Sequence, residues 1–355
     1  MKKEVLKKLL LACSPSGDEN DAVMTWNEEM KKLNSQIKHY YQDKMGNSGW
    51  ALGNGKTKIL ISGHIDEISM AVRYISDDGY MTLVNMNGVD KKTLPGSQIL
   101  FLTDEKLISG VILSQPIHLQ YAEKTQEDVD DWNDVRATIG ANSKDYVLKN
   151  GINIGTPVIF QRNVNLEFGE NKLVGNALDD KAGIFCTYEL LKNLAENPLP
   201  KNILENYTII GLATTGEESG LRGATVAAKN INPNLSIDLD VIHANCGLFD
   251  KEKYGDLKLG NGPVIEFGPD KSRKLNGKLM KLAEENNIKY QLEIGIAGGT
   301  NTDQIQLMSA DCETTLISLP LLSMHTQNET MDWNDIENTV KLLEAFIRNL
   351  PNSYM

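Results

Sequence analysis

Three apolar runs that each lead into acidic or imidazole side chains constrain this chain more than any other feature. KILISGHID (58–66) reads as a buried strand finishing on His64 and Asp66. YTIIGLATT (207–215) reads as a second and runs into GEESG with Glu217 and Glu218; SIDLDVIHA (236–244) reads as a third and carries Asp240. Between and after them lie segments with helical spacing: AGIFCTYELLKNLAE (182–196), LRGATVAAKN (221–230), KLNGKLMKLAEENN (274–287) and the C-terminal DIENTVKLLEAFIRNL. Apolar strands alternating with helices predict an α/β domain built on a largely parallel sheet covered on both faces. Such a sheet collects its ligands outside the carboxyl ends of its strands, where these polar residues fall.

From about residue 70 to 166 the pattern changes. Short β-type runs, MAVRYI, MTLVNM, LISGVIL and TPVIFQ, are separated by DDG, NG and other turn signals, which predicts an all-β insertion interrupting the α/β domain. Within it, EKTQEDVDDWND (123–134) reads as a solvated loop or short surface helix. At the N-terminus, MKKEVLKKLLLAC offers an uninterrupted apolar stretch only from Leu9 to Ala12, short of the roughly 7–15 residues of an export signal. Val5, Leu6, Leu9 and Leu10 repeat instead at the spacing of an amphipathic helix. No other stretch is long enough to span a bilayer.

With 36 basic and 48 acidic residues, the net charge of −12 argues against nucleic acid or an anionic membrane as the main partner. Four cysteines, Cys13, Cys186, Cys246 and Cys312, lie far apart with no C-x-x-C pair, so a reducing cytoplasm is the simplest compartment.

The metal-capable residues gather at corresponding places: His64 and Asp66 after the first strand, Asp179 and Asp180 in LVGNALDDKAG just before a helix, Glu217 and Glu218 after the second strand, and Asp240 on the third. Each has a structural explanation alone: a hydrogen-bonded core histidine, a helix cap, a charged turn. Brought together, they would repel one another at a cost in stability unless cations sat among them. Mixed histidine and carboxylate ligands suit zinc, cobalt or manganese better than magnesium. A second histidine is wanted; of His39, His118, His243 and His325, position favours His325, after an apolar run and before the last helix, with His243 next.

Motifs through most of the chain then match a family. SPSGDE (14–19), GHIDEISMAV (63–72), IGANSKD (139–145), KLVGNALDDKAG (172–183), TTGEESGLRGA (214–224), KLGNGPVI (258–265), GGTNTDQI (298–305) and MHTQNETMDWNDIE (324–337) occur in shared order and approximate spacing. The sequence resembles the cocatalytic, dinuclear metallo-aminopeptidases of the tetrahedral (TET) and glutamyl aminopeptidase family, whose members often carry an endoglucanase or cellulase label. The resemblance implies a catalytic domain of residues 1–69 and 167–355 with a mixed, largely parallel sheet, and a small β-barrel domain of residues 70–166 that assists oligomerisation and shapes access to the site. It implies two divalent ions, zinc or cobalt with manganese as an alternative, bound by His64, Asp179 and Asp240 and by Asp179, Glu218 and His325, with Asp179 shared. Asp66 would orient His64, a cis peptide would join Asp179 to Asp180, and Glu217 would be the general base. The expected activity is removal of N-terminal residues from short peptides by a cytoplasmic homo-oligomer, from a dimer up to a tetrahedral dodecamer.

The chain departs from the family pattern at Asn301, where Asp is common, at Lys181 for Arg, at Ser69 for Gly, after His325, where a Pro is missing, and through residues 243–256. Related dinuclear carboxypeptidases and N-acyl amino acid deacylases use similar ligands, but the GGT segment and the β-rich insertion favour the aminopeptidase. Glycosidase carboxylates flank a scissile bond about 5–9.5 Å apart, unlike neighbours on one turn with His and Asp around them.

Overall fold

The computed structural model describes residues 1–116, 118, 132–295 and 299–351. Strands β1 (Lys38–Gln42), β2 (Ser48–Gly53) and β3 (Thr57–His64) come first. They are followed by β4 (Ser69–Ile75), β5 (Met81–Asn87), β6 (Gln98–Leu102), β7 (Leu107–Ile112), β8 (Arg136–Thr138) and β9 (Pro157–Phe160). The remainder are β10 (Val164–Phe168), β11 (Lys172–Gly175), β12 (Tyr207–Thr214), β13 (Leu235–His243), β14 (Val264–Phe267), β15 (Gln291–Ile294), β16 (Glu313–Leu321) and β17 (Glu329–Asp332).

Eight strands form the main sheet in the order β1-β2-β12-β3-β13-β16-β14-β15. Its centre, β12, β3, β13 and β16, is parallel, while β2 and β14 flank that centre antiparallel. The three apolar runs of the sequence are thus three of the four central strands. Side chains alternate across a strand: Ile59, Ile61 and Ile209 enter one core, and Leu60, Ile210 and Leu212 the other. The first core is closed by the helices Lys3–Leu11, Leu178–Glu196, Arg273–Glu285 and Trp333–Arg348, and the second by the helix Arg222–Ile231 and by Ile305. The N-terminal helix buries Val5, Leu6, Leu9 and Leu10, as its spacing predicts.

The insertion closes into a barrel, β4-β5-β8-β7-β6-β9. Sequence reading finds four of these strands and passes over β6, the apolar run Gln98–Leu102; β8, of three residues, is too short to carry a pattern. The expected boundary at 166 falls inside β10, which pairs with β11 in a separate sheet, β10-β11-β17. Of the acidic segment 123–134, residues 123–131 lie outside the described residues, and Trp132–Asp134 form a 3-10 turn. Among the described residues, no helix is long and apolar enough to cross a membrane.

One buried ion cluster clamps both crossings between the barrel and the rest of the fold. Glu67 lies between β3 and β4, and Arg162 between β9 and β10. Arg162 donates to both Glu67 carboxylate oxygens at 2.6 and 2.5 Å, and Ser14 N donates to Glu67 at 2.8 Å. Lys181 reaches Ala12 O at 2.8 Å and lies 3.5 Å from Glu67. Burial opposes the Glu67 charge, but Arg162 and Lys181 outweigh it and hold the carboxyl down to about 2. Glu67→Ala is expected to cost about 3–5 kcal/mol near neutral pH, because two cations stay buried without their counter-charge. Since the folded pKa lies below the reference value of 4.5, this contribution is complete above that value and fades as pH falls towards about 2. Urea titrations of metal-free protein at about pH 7 and about pH 3.5 should show parent and variant converging; an undiminished gap at the lower pH would contradict the assignment.

Candidate metal centre

Parallel pairing brings the expected residues to one edge. Thr214 of β12 stands opposite His64 of β3, so the turn after β12 presents Glu217 and Glu218 beside that histidine. Asp240 is not at a strand end: it sits within β13, opposite Ser318 of β16. His325 follows β16 in a left-handed backbone conformation, φ 63°. Asp179 arrives from the smaller sheet, after β11, and the peptide bond joining it to Asp180 is cis. Both aspartates have non-helical backbone angles, so the regular helix begins only beyond them, as the apolar spacing from Ala182 suggests.

The Asp179 carboxylate lies between two imidazoles, with Oδ1 3.0 Å from His64 Nε2 and Oδ2 3.2 Å from His325 Nε2. Glu217 Oε2 and Asp240 Oδ1 each lie 4.0 Å from His64 Nε2. Glu218 Oε1 is 3.3 Å from His325 Nε2 without hydrogen-bond alignment, and this buried oxygen has no hydrogen-bond partner. His325, rather than His243 at the exposed end of β13, is the imidazole beside Asp179 and Glu218. His39, on β1, packs edge-on against Trp50.

Asp66 differs from its expected role in detail. His64 Nδ1 lies 3.2 Å from the Asp66 backbone carbonyl and 3.6 Å from the carboxylate. The carboxylate instead accepts from the backbone N–H groups of Glu217 at 3.0 Å and Glu218 at 3.2 Å, and from the Ser16 hydroxyl. It therefore holds the turn that aims both glutamates. Asn301 is buried and donates from Nδ2 to Thr214 Oγ1 at 3.0 Å.

Sequence reading gave Glu329 no role. On β17, its two oxygens accept from His325 N at 2.9 Å and Asp179 N at 3.2 Å, fixing both backbones at once. Asp179 is 150 positions away, and no local pattern announces that pairing. Burial, then the Asp179 charge, raises the Glu329 carboxyl well above its usual range.

The electrostatics call for positive charge. Burial, reinforced by neighbouring Glu218, Asp66 and Asp179, pushes Glu217 up to about 8, and burial with Glu217 raises Asp240 well above the carboxylate range. Burial disfavours a charged His325, but Asp179 and Glu218 reverse this and hold it up to about 11. Two histidines among this many carboxylates are poorly matched without further cations. One ligand atom each from His64, Asp179 and Glu218 lies within 4.8 Å of the others, and the unpartnered Glu218 oxygen belongs to this group. Imidazole nitrogen and carboxylate oxygen at this spacing fit a divalent cation.

The family model for M42 glutamyl aminopeptidase matches residues 47–342. The chain belongs to the M42 peptidase family. Lysyl aminopeptidase of Pyrococcus furiosus is 30% identical over 98% of this chain and 97% of its own length. A TET aminopeptidase from a marine sediment thaumarchaeote superposes with a TM-score of 0.89 at 26% identity, covering 98% of this M42 chain and 97% of its own. A Pyrococcus horikoshii TET1 peptidase that can assemble into a tetrahedron or a large octahedral shell gives a TM-score of 0.84 at 29% identity, with 98% and 99% covered. The M42 chain is accordingly a metal-dependent peptide-bond hydrolase of the aminopeptidase class, with the mixed sheet and small barrel of the TET fold.

Proposed function

We propose that this chain is a dinuclear aminopeptidase in which His64, Asp179 and Asp240 hold one divalent ion and Asp179, Glu218 and His325 the other. The observation that carries the reading is the Asp179 carboxylate, with one oxygen beside each imidazole. Zinc or cobalt suits this donor set, with manganese as the alternative. Such ions supply Lewis acidity, which lowers the pKa of water and polarises a carbonyl.

The chain's own residues supply the proton traffic. Glu217 belongs to neither ligand set, and its Oε2 lies 4.0 Å from His64 Nε2, as Asp240 Oδ1 does. Its carboxylate takes a proton from the attacking water and passes it to the departing amine nitrogen. Asp66 keeps that carboxylate aimed by holding the Glu217 backbone N–H. The substrates are short peptides cut after their N-terminal residue, with no nucleic acid or membrane partner. The protein works in the cytoplasm as a homo-oligomer, from a dimer up to a tetrahedral dodecamer. Residues 1–69 and 167–355 form its catalytic domain, and residues 70–166 a barrel domain that assists assembly and shapes access.

Aminoacyl p-nitroanilides assayed against N-acylated amino acids, with and without a chelator, test this. Turnover of the free-amine substrates, lost on chelation and restored by zinc or cobalt, is expected. Turnover of the acylated set alone would make the chain a deacylase, and chelator-insensitive cleavage of a β-glucan would make it a glycosidase.

A further inference from the structure

We propose that the barrel corner formed by Asn87 and Gly88 is a positioning element of the catalytic centre, orienting His325 directly and the glutamate turn through Ser16 and Asp66. This rests on the dinuclear reading above. The barrel would then do more than support assembly: one dipeptide of it reaches both halves of the site.

The first contact is the Gly88 carbonyl, which accepts from His325 Nδ1 at 2.9 Å. That hydrogen bond keeps a proton on Nδ1, so Nε2, which faces Asp179 and Glu218, is the nitrogen that would bind a metal. The approach requires glycine. A Cβ at position 88 would lie 2.6 Å from His325 Nδ1 and 2.7 Å from Cε1, and the backbone is left-handed at φ 52°.

The second contact is a relay of hydrogen bonds. Asn87 Oδ1 accepts from Ser69 N at 2.6 Å, across the β4–β5 pairing, which orients the amide so that Nδ2 donates to Ser16 Oγ at 2.8 Å. The Ser16 hydroxyl in turn donates to Asp66 Oδ2, and the Asp66 carboxylate accepts from Glu217 N and Glu218 N. Asn87 and Asp66 are buried, so each broken link leaves a polar group without water to replace it. The carbonyl sets one imidazole ligand, whereas the relay sets the turn that carries the base Glu217 together with Glu218.

Gly88→Ala and Ser16→Ala separate these roles. Gly88→Ala is expected to weaken zinc binding about 10–100-fold, measured by competition with a chromophoric chelator. Its metal-free melting temperature should stay within about 4 °C of the parent. Ser16→Ala should lower kcat about tenfold with KM nearly unchanged and should weaken zinc binding less than Gly88→Ala does, and Ser16→Thr, which keeps the hydroxyl, should recover most of that loss. Parental zinc affinity in Gly88→Ala, or a Ser16→Ala defect that Ser16→Thr does not relieve, would overturn the proposal. Early melting of metal-free Gly88→Ala would also count against it, because weaker zinc binding would then reflect barrel instability. A parent chain that neither binds zinc nor turns over aminoacyl substrates would sink the metallopeptidase reading itself.

Discussion

Glu217→Gln should reduce kcat by about 10²–10⁴-fold while leaving bound metal per chain at the parental value. The substitution is nearly isosteric, and the backbone N–H of residue 217 stays bonded to Asp66, so the turn should survive. What is lost is the ability to accept a proton, because an amide oxygen is far less basic than a carboxylate. The variant should also relieve local repulsion: burial and the charges of Glu218, Asp66 and Asp179 already oppose ionisation of Glu217. Its metal-free form should therefore melt no earlier than the parent. Steady-state kinetics together with metal analysis decide the matter. Parental kcat in Glu217→Gln would assign the base elsewhere, and a variant that lost its metal would make Glu217 a ligand.

The second large effect belongs to Asp179. Asp179→Ala should abolish tight binding of both ions, whereas Asp240→Ala should impair mainly one. The reason is geometric: Asp179 offers an oxygen to each histidine's neighbourhood, while Asp240 approaches only His64. Loss of a shared ligand should exceed the roughly 10–100-fold penalty typical of outer partners. It should also remove the stabilisation that metal confers on the parent, about 2.7 kcal/mol at a hundredfold excess over Kd. Calorimetric titration with zinc and thermal melts with and without it provide the readout. Two bound ions in Asp179→Ala would exclude a bridging role.

Much of this molecule was legible in one dimension because its signals are local. A run such as YTIIGLAT, apolar on both faces and rich in β-branched residues, reads as a central strand, and β12 is buried throughout. The N-terminal helix follows from four leucine and valine positions at helical spacing. Likewise, the candidate donors could be found from residue type and from their place next to these strands. The family motifs then supplied a division of roles that composition and spacing alone left open, and agreed with the preference for His325 over His243 that position had already given.

Other features were invisible for equally physical reasons. Strand β16 contains Pro320, which argues against a central strand; it is tolerated beyond the stretch where β14 pairs with β16, at Ile317 and Ser318. Barrel closure depends on partners for β6 and β8 that are distant in sequence. Glu329 looks like any acidic residue in a polar loop until its oxygens meet the backbones of Asp179 and His325. Gly88 looks like an ordinary turn glycine until His325 is placed against it.

By itself the sequence determined which segments are strands or helices through the middle of the catalytic domain, and which side chains could bind metal or carry a proton. Periodicity and residue chemistry are properties of a few neighbouring positions, so they can be read along the chain. The tertiary structure alone decided how those side chains are aimed: Asp66 onto the glutamate turn, Glu329 onto two backbones, and the barrel's Asn87 and Gly88 onto the site. Orientation is set by hydrogen bonds between residues far apart in the chain, and those exist only once the sheet and the barrel have closed around them.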